Sequence, residues 1–207
     1  MREKEYDQLN DKELNIKTTG LIEWPFGVNM DYLRTESSSY ADLDRFIEEY
    51  DGLENSRLVD FGSGKGRVLY YINHKLGIPT TGVEVNGAAF SHLVQNYGDY
   101  IDKFPKRGQD ITLLEIKAEE YVVRVDDNVF YFFNPFMVNI FEKVINNIEA
   151  SIQKEPRVVD IILYYPEISF GYYLDHKTPF EKVQKIKNKK YQLNNRECFE
   201  VYRYTPK

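Results

Sequence analysis

Short unbroken apolar runs alternate along the chain with stripes whose apolar residues recur every three or four positions. Unbroken runs are typical of strands that are covered on both faces, and the stripes are typical of amphipathic helices. The runs span residues 57–61, 80–85, 111–116, 129–133 and 158–165. The stripes predict helices over 40–50, 67–76, 90–97 and 141–152. The pattern therefore predicts five strands, most of them separated by a helix.

Strands that alternate with helices predict a doubly wound α/β fold, in which a mostly parallel sheet lies between two helix layers. Residues 180–190 and 197–204 are two further candidate strands, which would bring the sheet to seven. Along the last strand, one face would carry Phe199, Val201 and Arg203, and the other Cys198, Glu200, Tyr202 and Tyr204. Such folds bind ligands beyond the carboxyl ends of their strands, so candidate site residues are expected there.

The first fifty residues have less pattern. Residues 1–17 carry mixed charges without a period, which predicts a frayed or irregular lead-in. Ser39 is the predicted N-cap of the helix over 40–50, because serine oxygens accept the free N–H groups of a first helical turn. We therefore expect residues 1–50 to form an arm and a cap helix within the same domain as a core over 51–207.

A glycine turn follows the first predicted strand directly, with Gly62, Gly64 and Gly66 at alternate positions. Glycine lets the backbone turn sharply and lets a ligand come close, and the helix that follows points free N–H groups at that ligand. The spacing differs from the G-x-G-x-x-G of dinucleotide sites and from the phosphate-binding Walker loop. Such a turn could also simply link a strand to a helix.

An acid ends the second predicted strand. Glu84 lies 22 residues after Gly62, and an acid about 20 residues after a glycine turn is typical of ribose recognition. The physical reason is that one carboxylate accepts hydrogen bonds from both ribose hydroxyls. Glu84 is therefore the predicted ribose ligand.

The segments VDFGSGKGR (59–67) and GVEVN (82–86) resemble the class I, seven-stranded S-adenosylmethionine-dependent methyltransferases. The resemblance covers roughly residues 32–170, and the turn is most similar to that of small bacterial members of unassigned substrate. It implies a Rossmann-like sheet, S-adenosylmethionine as the cofactor, and methyl transfer to an unidentified acceptor. A protein side chain, a nucleobase or a small molecule could be that acceptor, with a weak preference for nitrogen.

The resemblance also implies positions around the cofactor. Asp60 and the glycine turn would surround its methionine part, and Tyr32 and Thr35 would approach from above. An acid that faces adenine is usual after the third strand, but Lys117 and Ala118 stand there, with Glu119 and Glu120 following. The implied cofactor-binding residues are Tyr32, Thr35, Asp60, Gly62, Ser63, Gly64, Gly66, Glu84, Val85, Ala118 and Asn134.

Asn134, Pro135 and Phe136 follow the fourth strand and are the candidate catalytic residues. They resemble the [DNS]-P-P-[YFW] motif of methyltransferases that act on amino nitrogens, although the second proline is missing and the aromatic stands one position early. The resemblance implies that Asn134 accepts a hydrogen bond from the target nitrogen and that Phe136 stacks on a planar substrate. The three residues could instead only shape the cofactor pocket.

Composition excludes several classes of protein. The 207 residues include one cysteine and three scattered histidines, so neither a disulfide framework nor a metal site is expected. No apolar stretch is long enough to span a membrane, and the first 15 residues have no signal-peptide core. We therefore expect a reducing, cytoplasmic setting and no membrane partner.

The net charge of −6 is unevenly distributed. Residues 1–50 contain 6 basic and 12 acidic side chains, whereas residues 177–207 contain 9 basic and 3 acidic ones. An acidic chain argues against strong non-specific binding of nucleic acid. The basic tail would suit a local anionic partner or simply a solvated strand face.

Two other functions stay open on the sequence. A nicotinamide-dependent oxidoreductase is one, because the Tyr-x-x-x-Lys spacing occurs at Tyr71/Lys75 and at Tyr173/Lys177. A protein that binds S-adenosylmethionine without turnover, as a sensor or partner subunit, is the other. Substrate choice is expected to lie in the segments 18–38, 136–140 and 166–196, which carry no readable motif.

Overall fold

The computed structural model describes residues 2–23, 31–33 and 36–206. In this part of the chain, seven strands form one sheet. They are β1 (Leu58–Phe61), β2 (Thr80–Glu84), β3 (Ile111–Glu115), β4 (Val129–Phe132), β5 (Val159–Tyr164), β6 (Glu181–Lys187) and β7 (Cys198–Tyr204). Their order is β3-β2-β1-β4-β5-β7-β6, and β7 runs antiparallel to both of its neighbours. The predicted, mostly parallel seven-stranded sheet is confirmed, and each strand lies inside its predicted range.

Helices cover both faces of the sheet. They are α1 (Glu3–Leu14), α2 (Tyr40–Glu49), α3 (Arg67–Leu76), α4 (Gly87–Lys103), α5 (Val138–Lys154) and α6 (Ile168–Lys177). One apolar cluster packs the first four helices against one face of the sheet, and a second packs α5 and α6 against the other face. The alternate residues of β7 divide as predicted, since Phe199 and Val201 belong to the first cluster and Tyr202 to the second.

Two helices were not predicted from the periodicity. The expected irregular lead-in is wrong, because Glu3–Leu14 is helical and buries Asn10, Asp11 and Leu14. Two of those three side chains are polar, so no apolar stripe reveals the helix in the sequence. Helix α6, Ile168–Lys177, lies in a segment without a predicted element.

The basic tail has carboxylate partners inside the molecule. Lys182 and Lys185 both bind Glu200, at 2.9 and 2.7 Å. Lys190 binds Glu3 of α1 at 2.5 Å, which ties the β6–β7 connection to the acidic N-terminal helix. Part of the charge contrast between the two ends of the chain is therefore used in internal packing.

Helices in the described part of the chain lack the combination of length and apolar composition that a bilayer crossing requires.

Candidate functional site

The glycine turn lies at the carboxyl ends of β1 and β2 and is fixed to both. The N–H groups of Gly62 and Ser63 donate to the carbonyl of Val83 in β2, at 2.8 and 3.1 Å. Gly62 has φ +74°, and a Cβ built there would lie 2.3 Å from the Cβ of Pro135. Only glycine therefore lets the turn pass this close to the segment after β4.

Glu84 closes the turn from the end of β2. Its Oε2 accepts the N–H of Gly64 at 2.8 Å, and its Oε1 accepts the N–H of Asn86 at 2.7 Å. The side chain is 5% exposed, and burial raises its pKa although the N–H groups of Asn86 and Gly64 oppose that shift. A carboxylate offers about four lone-pair sites, so Glu84 retains acceptor capacity toward the cleft that it lines.

Asp60 stands beside Glu84 at the end of β1. Its side chain is buried, and burial together with the Glu84 carboxylate raises its pKa to about 8. Burial raises the pKa of the neighbouring Tyr131 hydroxyl, and the charge of Asp60 adds to that shift. Two neighbouring acids in a buried site hold negative charge at a cost, which makes the site receptive to a cationic ligand.

A cleft opens between the turn, the ends of β2 and β3, and the segment after β4. Its described lining includes the predicted residues Tyr32, Gly62, Glu84, Val85, Ala118 and Pro135. It also includes residues that sequence reasoning did not assign to it, namely Leu33, Glu36, Val83, Ile116 and Phe133. Thr35 lies outside the described residues. Ser63 is not part of the described lining of the cleft, and its hydroxyl lies beside Gly82 of β2.

Tyr32 meets the turn that follows β3. Its hydroxyl donates to Oε2 of Glu119 at 2.7 Å and accepts the N–H of Ala118 at 3.3 Å. Residues Ala118–Glu120 form a short 3₁₀ turn, and the Glu119 carboxylate on this turn accepts the Tyr32 hydroxyl. Of the two acids that follow the strand-end position in the sequence, Glu119 is the one that accepts the Tyr32 hydroxyl.

The segment after β4 divides its residues among different tasks. Asn134 adopts φ +42°, and its amide donates to the carbonyl of Tyr165 at 2.8 Å. The carbonyl of Pro135 accepts the N–H of Leu33 at 3.0 Å. Phe136 is 2% exposed and packs edge-on against Tyr32, with ring centroids 5.7 Å apart. Phe136 is therefore part of the core.

Phe133 presents an aromatic ring to the cleft, which was not predicted from the sequence. It is half-buried, and it lines both the cleft and a second cavity beyond Asn134. The last residue of the apolar run 129–133 carries no signal that separates it from its buried neighbours. The structure separates it from them, because β4 ends at Phe132, one residue before Phe133.

The two charged residues of the turn hold the N-terminal arm. Lys65 donates to the carbonyls of Thr19 and Gly20, at 2.6 and 2.9 Å. Arg67 binds Asp7 at 2.8 Å, in a side-chain position that is only 3% exposed. Both cations therefore bind the arm, and the cleft itself is lined by neutral and acidic groups among the described residues.

No protein-family model and no curated protein matches this chain. Solved structures share its fold at low sequence identity. An RNA methyltransferase from Salinibacter ruber, in complex with S-adenosyl-L-homocysteine, matches with a TM-score of 0.53 and 13% identity over 83% of this chain and 93% of that one. A SAM-dependent methyltransferase from Aquifex aeolicus matches with a TM-score of 0.57 and 15% identity over 78% and 88%.

The human methyltransferase 10 domain containing protein matches with a TM-score of 0.61 and 14% identity over 96% of this chain and 93% of that one. The chain thus has the Rossmann-like fold of class I S-adenosylmethionine-dependent methyltransferases. Identities this low establish a shared fold, and a function has to be argued from the site itself.

Proposed function

We propose that this chain is a methyltransferase that uses S-adenosylmethionine, with nitrogen preferred as the acceptor. The observation that carries the proposal is the unit formed by the glycine turn and Glu84, in which the carboxylate is bonded to the Gly64 N–H and still lines the cleft. This unit lies at the carboxyl ends of β1 and β2, where ligands of doubly wound sheets bind.

The fit to a nucleoside is supported by the contacts of Tyr32. Its hydroxyl accepts from the Ala118 N–H and donates to Glu119. The Watson–Crick edge of adenine carries the same pair, a ring nitrogen that accepts and an amino group that donates. Ala118 and Glu119 could therefore hold adenine while Glu84 holds the ribose.

Methyl transfer requires little chemistry from the protein. S-adenosylmethionine supplies a methyl group on a positively charged sulfur, so the reactive centre is carried by the cofactor. The residues of this chain would hold the two reactants in line and exclude water. The positive charge on the sulfur would favour the ionised forms of Asp60 and Glu84. The aromatic ring of Phe133 lies between the cleft and the adjacent cavity.

Neither Tyr-x-x-x-Lys pair supports the oxidoreductase alternative. Tyr71 is buried under α2, and its hydroxyl donates to Asp44. Tyr173 donates to Asn146 of α5 at 3.1 Å. Neither tyrosine belongs to the described lining of the cleft.

The proposal is tested by thermal unfolding with S-adenosylhomocysteine, S-adenosylmethionine, NAD and NADP. A ligand at about 100 times its Kd adds about 2.7 kcal/mol of stability. We expect stabilisation by the first two compounds and none by the nucleotides. Stabilisation by NAD alone would overturn the proposal, and binding without methyl transfer to any fraction of a cell extract would favour the non-catalytic alternative.

Tyr32→Phe is expected to bind S-adenosylhomocysteine a few-fold more tightly than the wild type. The change removes the hydroxyl that competes for the Ala118 N–H and the Glu119 carboxylate, and one such hydrogen bond is worth about 1 kcal/mol net. Titration calorimetry measures the effect. Glu119→Gln serves as the opposite variant, for which weaker binding is expected; a loss of affinity in both variants would contradict the competition.

Asp60→Asn is expected to raise the melting temperature of the ligand-free protein, and to do so more at pH 8 than at pH 5. The pKa of Asp60 is about 8 in the folded protein and about 4 in an unfolded chain. Asp60 therefore contributes stability in acid that is lost as the pH rises from about 4 through 8. Asparagine does not titrate and escapes this loss.

Differential scanning calorimetry across that pH range checks the expectation, with the exposed Asp51→Asn as the control. An advantage of Asp60→Asn that stays constant between pH 5 and pH 8 would contradict the raised pKa.

A further inference from the structure

A second cavity adjoins the cofactor cleft on the side of Asn134. It encloses about 530 Å³ and shares Leu33, Glu36 and Phe133 with the cleft. Asn134 itself lines this cavity. A molecule seated here would thus reach the cleft across the ring of Phe133, at the place where a methyl acceptor must enter.

The described lining of this cavity is acidic. It contains the carboxylates of Glu3, Asp7, Glu36 and Glu197 and a single ammonium, that of Lys190. A fifth carboxylate, Asp42, lies directly behind the wall and accepts the hydroxyl of Tyr164 at 2.8 Å. Burial raises the pKa of Asp42, and the charges of Glu197 and Glu3 add to that shift.

Aromatic rings form the remaining wall. Phe133 and Tyr164 pack edge-to-face with centroids 4.6 Å apart, and Tyr165 continues the surface. Tyr165 is held in place by Arg196, whose guanidinium carbon lies 4.6 Å from the ring centroid. Carboxylates combined with aromatic faces are the surroundings that an organic cation prefers.

One observation independent of the acidic lining indicates a ligand. The Ser39 side chain is 8% exposed and lines the cavity, and its hydroxyl has no hydrogen-bond partner among the described residues. A buried hydroxyl without a partner is costly in a folded protein unless a ligand or water satisfies it. At the rim, Lys190 pairs with Glu3 at 2.5 Å, and this contact raises the pKa of Lys190.

We propose that the methyl acceptor is an aliphatic amine that enters this cavity as an ammonium ion. The proposal rests on the methyltransferase function proposed above. A lysine side chain and a free polyamine present the same chemistry. A nucleic acid fits poorly, because its phosphates would enter a described lining with four carboxylates and one ammonium, even though Glu3 and Asp7 are already paired with Lys190 and Arg67. One protein of the same fold is nevertheless an RNA methyltransferase.

The reaction requires a neutral nitrogen. The bound ammonium gives one proton to a cavity carboxylate, through which it passes to solvent. The nitrogen lone pair then forms a bond to the methyl carbon, while the carbon–sulfur bond breaks and its electron pair remains on sulfur. The products are a methylated ammonium ion, which carries the positive charge that the sulfur has lost, and a neutral thioether; the one proton released overall is the one given up before the transfer.

The first test follows the labelled methyl group from S-adenosylmethionine into a fractionated cell extract and into spermidine. Protein and nucleic-acid fractions are hydrolysed, and the labelled product is identified by mass spectrometry. Label in N-methyl-lysine or in a methylated polyamine is expected, and each identifies its own source. Label found only in nucleosides or in carboxyl esters overturns the proposal. The absence of any labelled product, from a protein that binds S-adenosylhomocysteine, overturns it as well. A protein that does not bind S-adenosylhomocysteine would instead overturn the methyltransferase function.

The second test uses Glu197→Gln with the acceptor found in the first. We expect KM for the amine to rise about 10-fold at low salt with S-adenosylhomocysteine affinity unchanged, and the difference to shrink as added salt screens the charge. Glu54→Gln makes the same charge change at the amino ends of the strands and serves as the control. An unchanged KM in Glu197→Gln, or a rise that salt does not affect, overturns the proposal.

Discussion

Replacing Glu84 by alanine is expected to weaken the binding of S-adenosylhomocysteine by about 100-fold, or about 2.8 kcal/mol. The substitution removes the carboxylate, and with it the proposed bonds to the ribose hydroxyls and the bonds to the N–H groups of Gly64 and Asn86. Hydrogen bonds to a charged group contribute about 1.5–3 kcal/mol each. Titration calorimetry gives the affinity directly.

Glu115→Ala is the matched control, because Glu115 ends β3 opposite Glu84 in the sheet register and is exposed. Its removal changes the charge by the same amount at the same sheet edge, and near-normal affinity is expected. Glu84→Gln keeps the shape of the side chain and removes one of two buried neighbouring acids. If Glu84→Gln binds weakly but melts, without ligand, at or above the temperature of the wild type, the defect lies in binding and not in folding. Normal binding by Glu84→Ala would refute the ribose role.

Arg67→Met is expected to lower the free energy of unfolding by about 3–5 kcal/mol. The guanidinium is buried and donates to Asp7 at 2.8 Å, to Thr18 at 2.7 Å and to the Ser38 carbonyl at 2.9 Å. It also lies over the ring of Tyr40, 4.5 Å from the centroid. Methionine fills similar volume but leaves the carboxylates of the arm without their buried cation.

Urea unfolding measures this loss, and a fall of about 10 °C in melting temperature should accompany it. Arg124→Met is the control, since Arg124 pairs with Asp126 at 3.4 Å in an exposed position and such pairs contribute at most about 1 kcal/mol. Adding Asp7→Asn to Arg67→Met should recover part of the stability, because it removes an uncompensated carboxylate. A cost for Arg67→Met as small as that of the control would show that the arm is held mainly by apolar contacts.

The strands and most of the helices were predictable because their signals are local. The run 129–133 became β4 and the stripe over 67–76 became α3, with both bounds of the helix as predicted. Periodicity failed at α1, where the buried Asp11 accepts from Thr18 and Tyr40. A polar residue that is buried by its hydrogen bonds looks, in the sequence, like a solvated one.

The site was also predictable only where its signals are local. Glu84 and the glycine turn meet as expected, because consecutive parallel strands bring their carboxyl ends together. The resemblance implied that Phe136 stacks on a substrate, with shaping of the cofactor pocket as the alternative; Phe136 packs in the core, and Phe133 lines the cleft. Between these two rings the backbone of Asn134 is left-handed, a conformation that no local pattern required.

The sequence by itself determined the succession of strands and helices, the glycine turn and the acid at the end of β2, since each depends on residues a few positions apart. The tertiary structure decided which charged groups act in the site and which in the scaffold. Arg67 meets Asp7 across 60 positions, and Tyr32 meets Glu119 across 87. Whether a charged side chain is buried with a partner or solvated depends on such distant contacts, because the free energy of a buried charge is set by the groups that surround it.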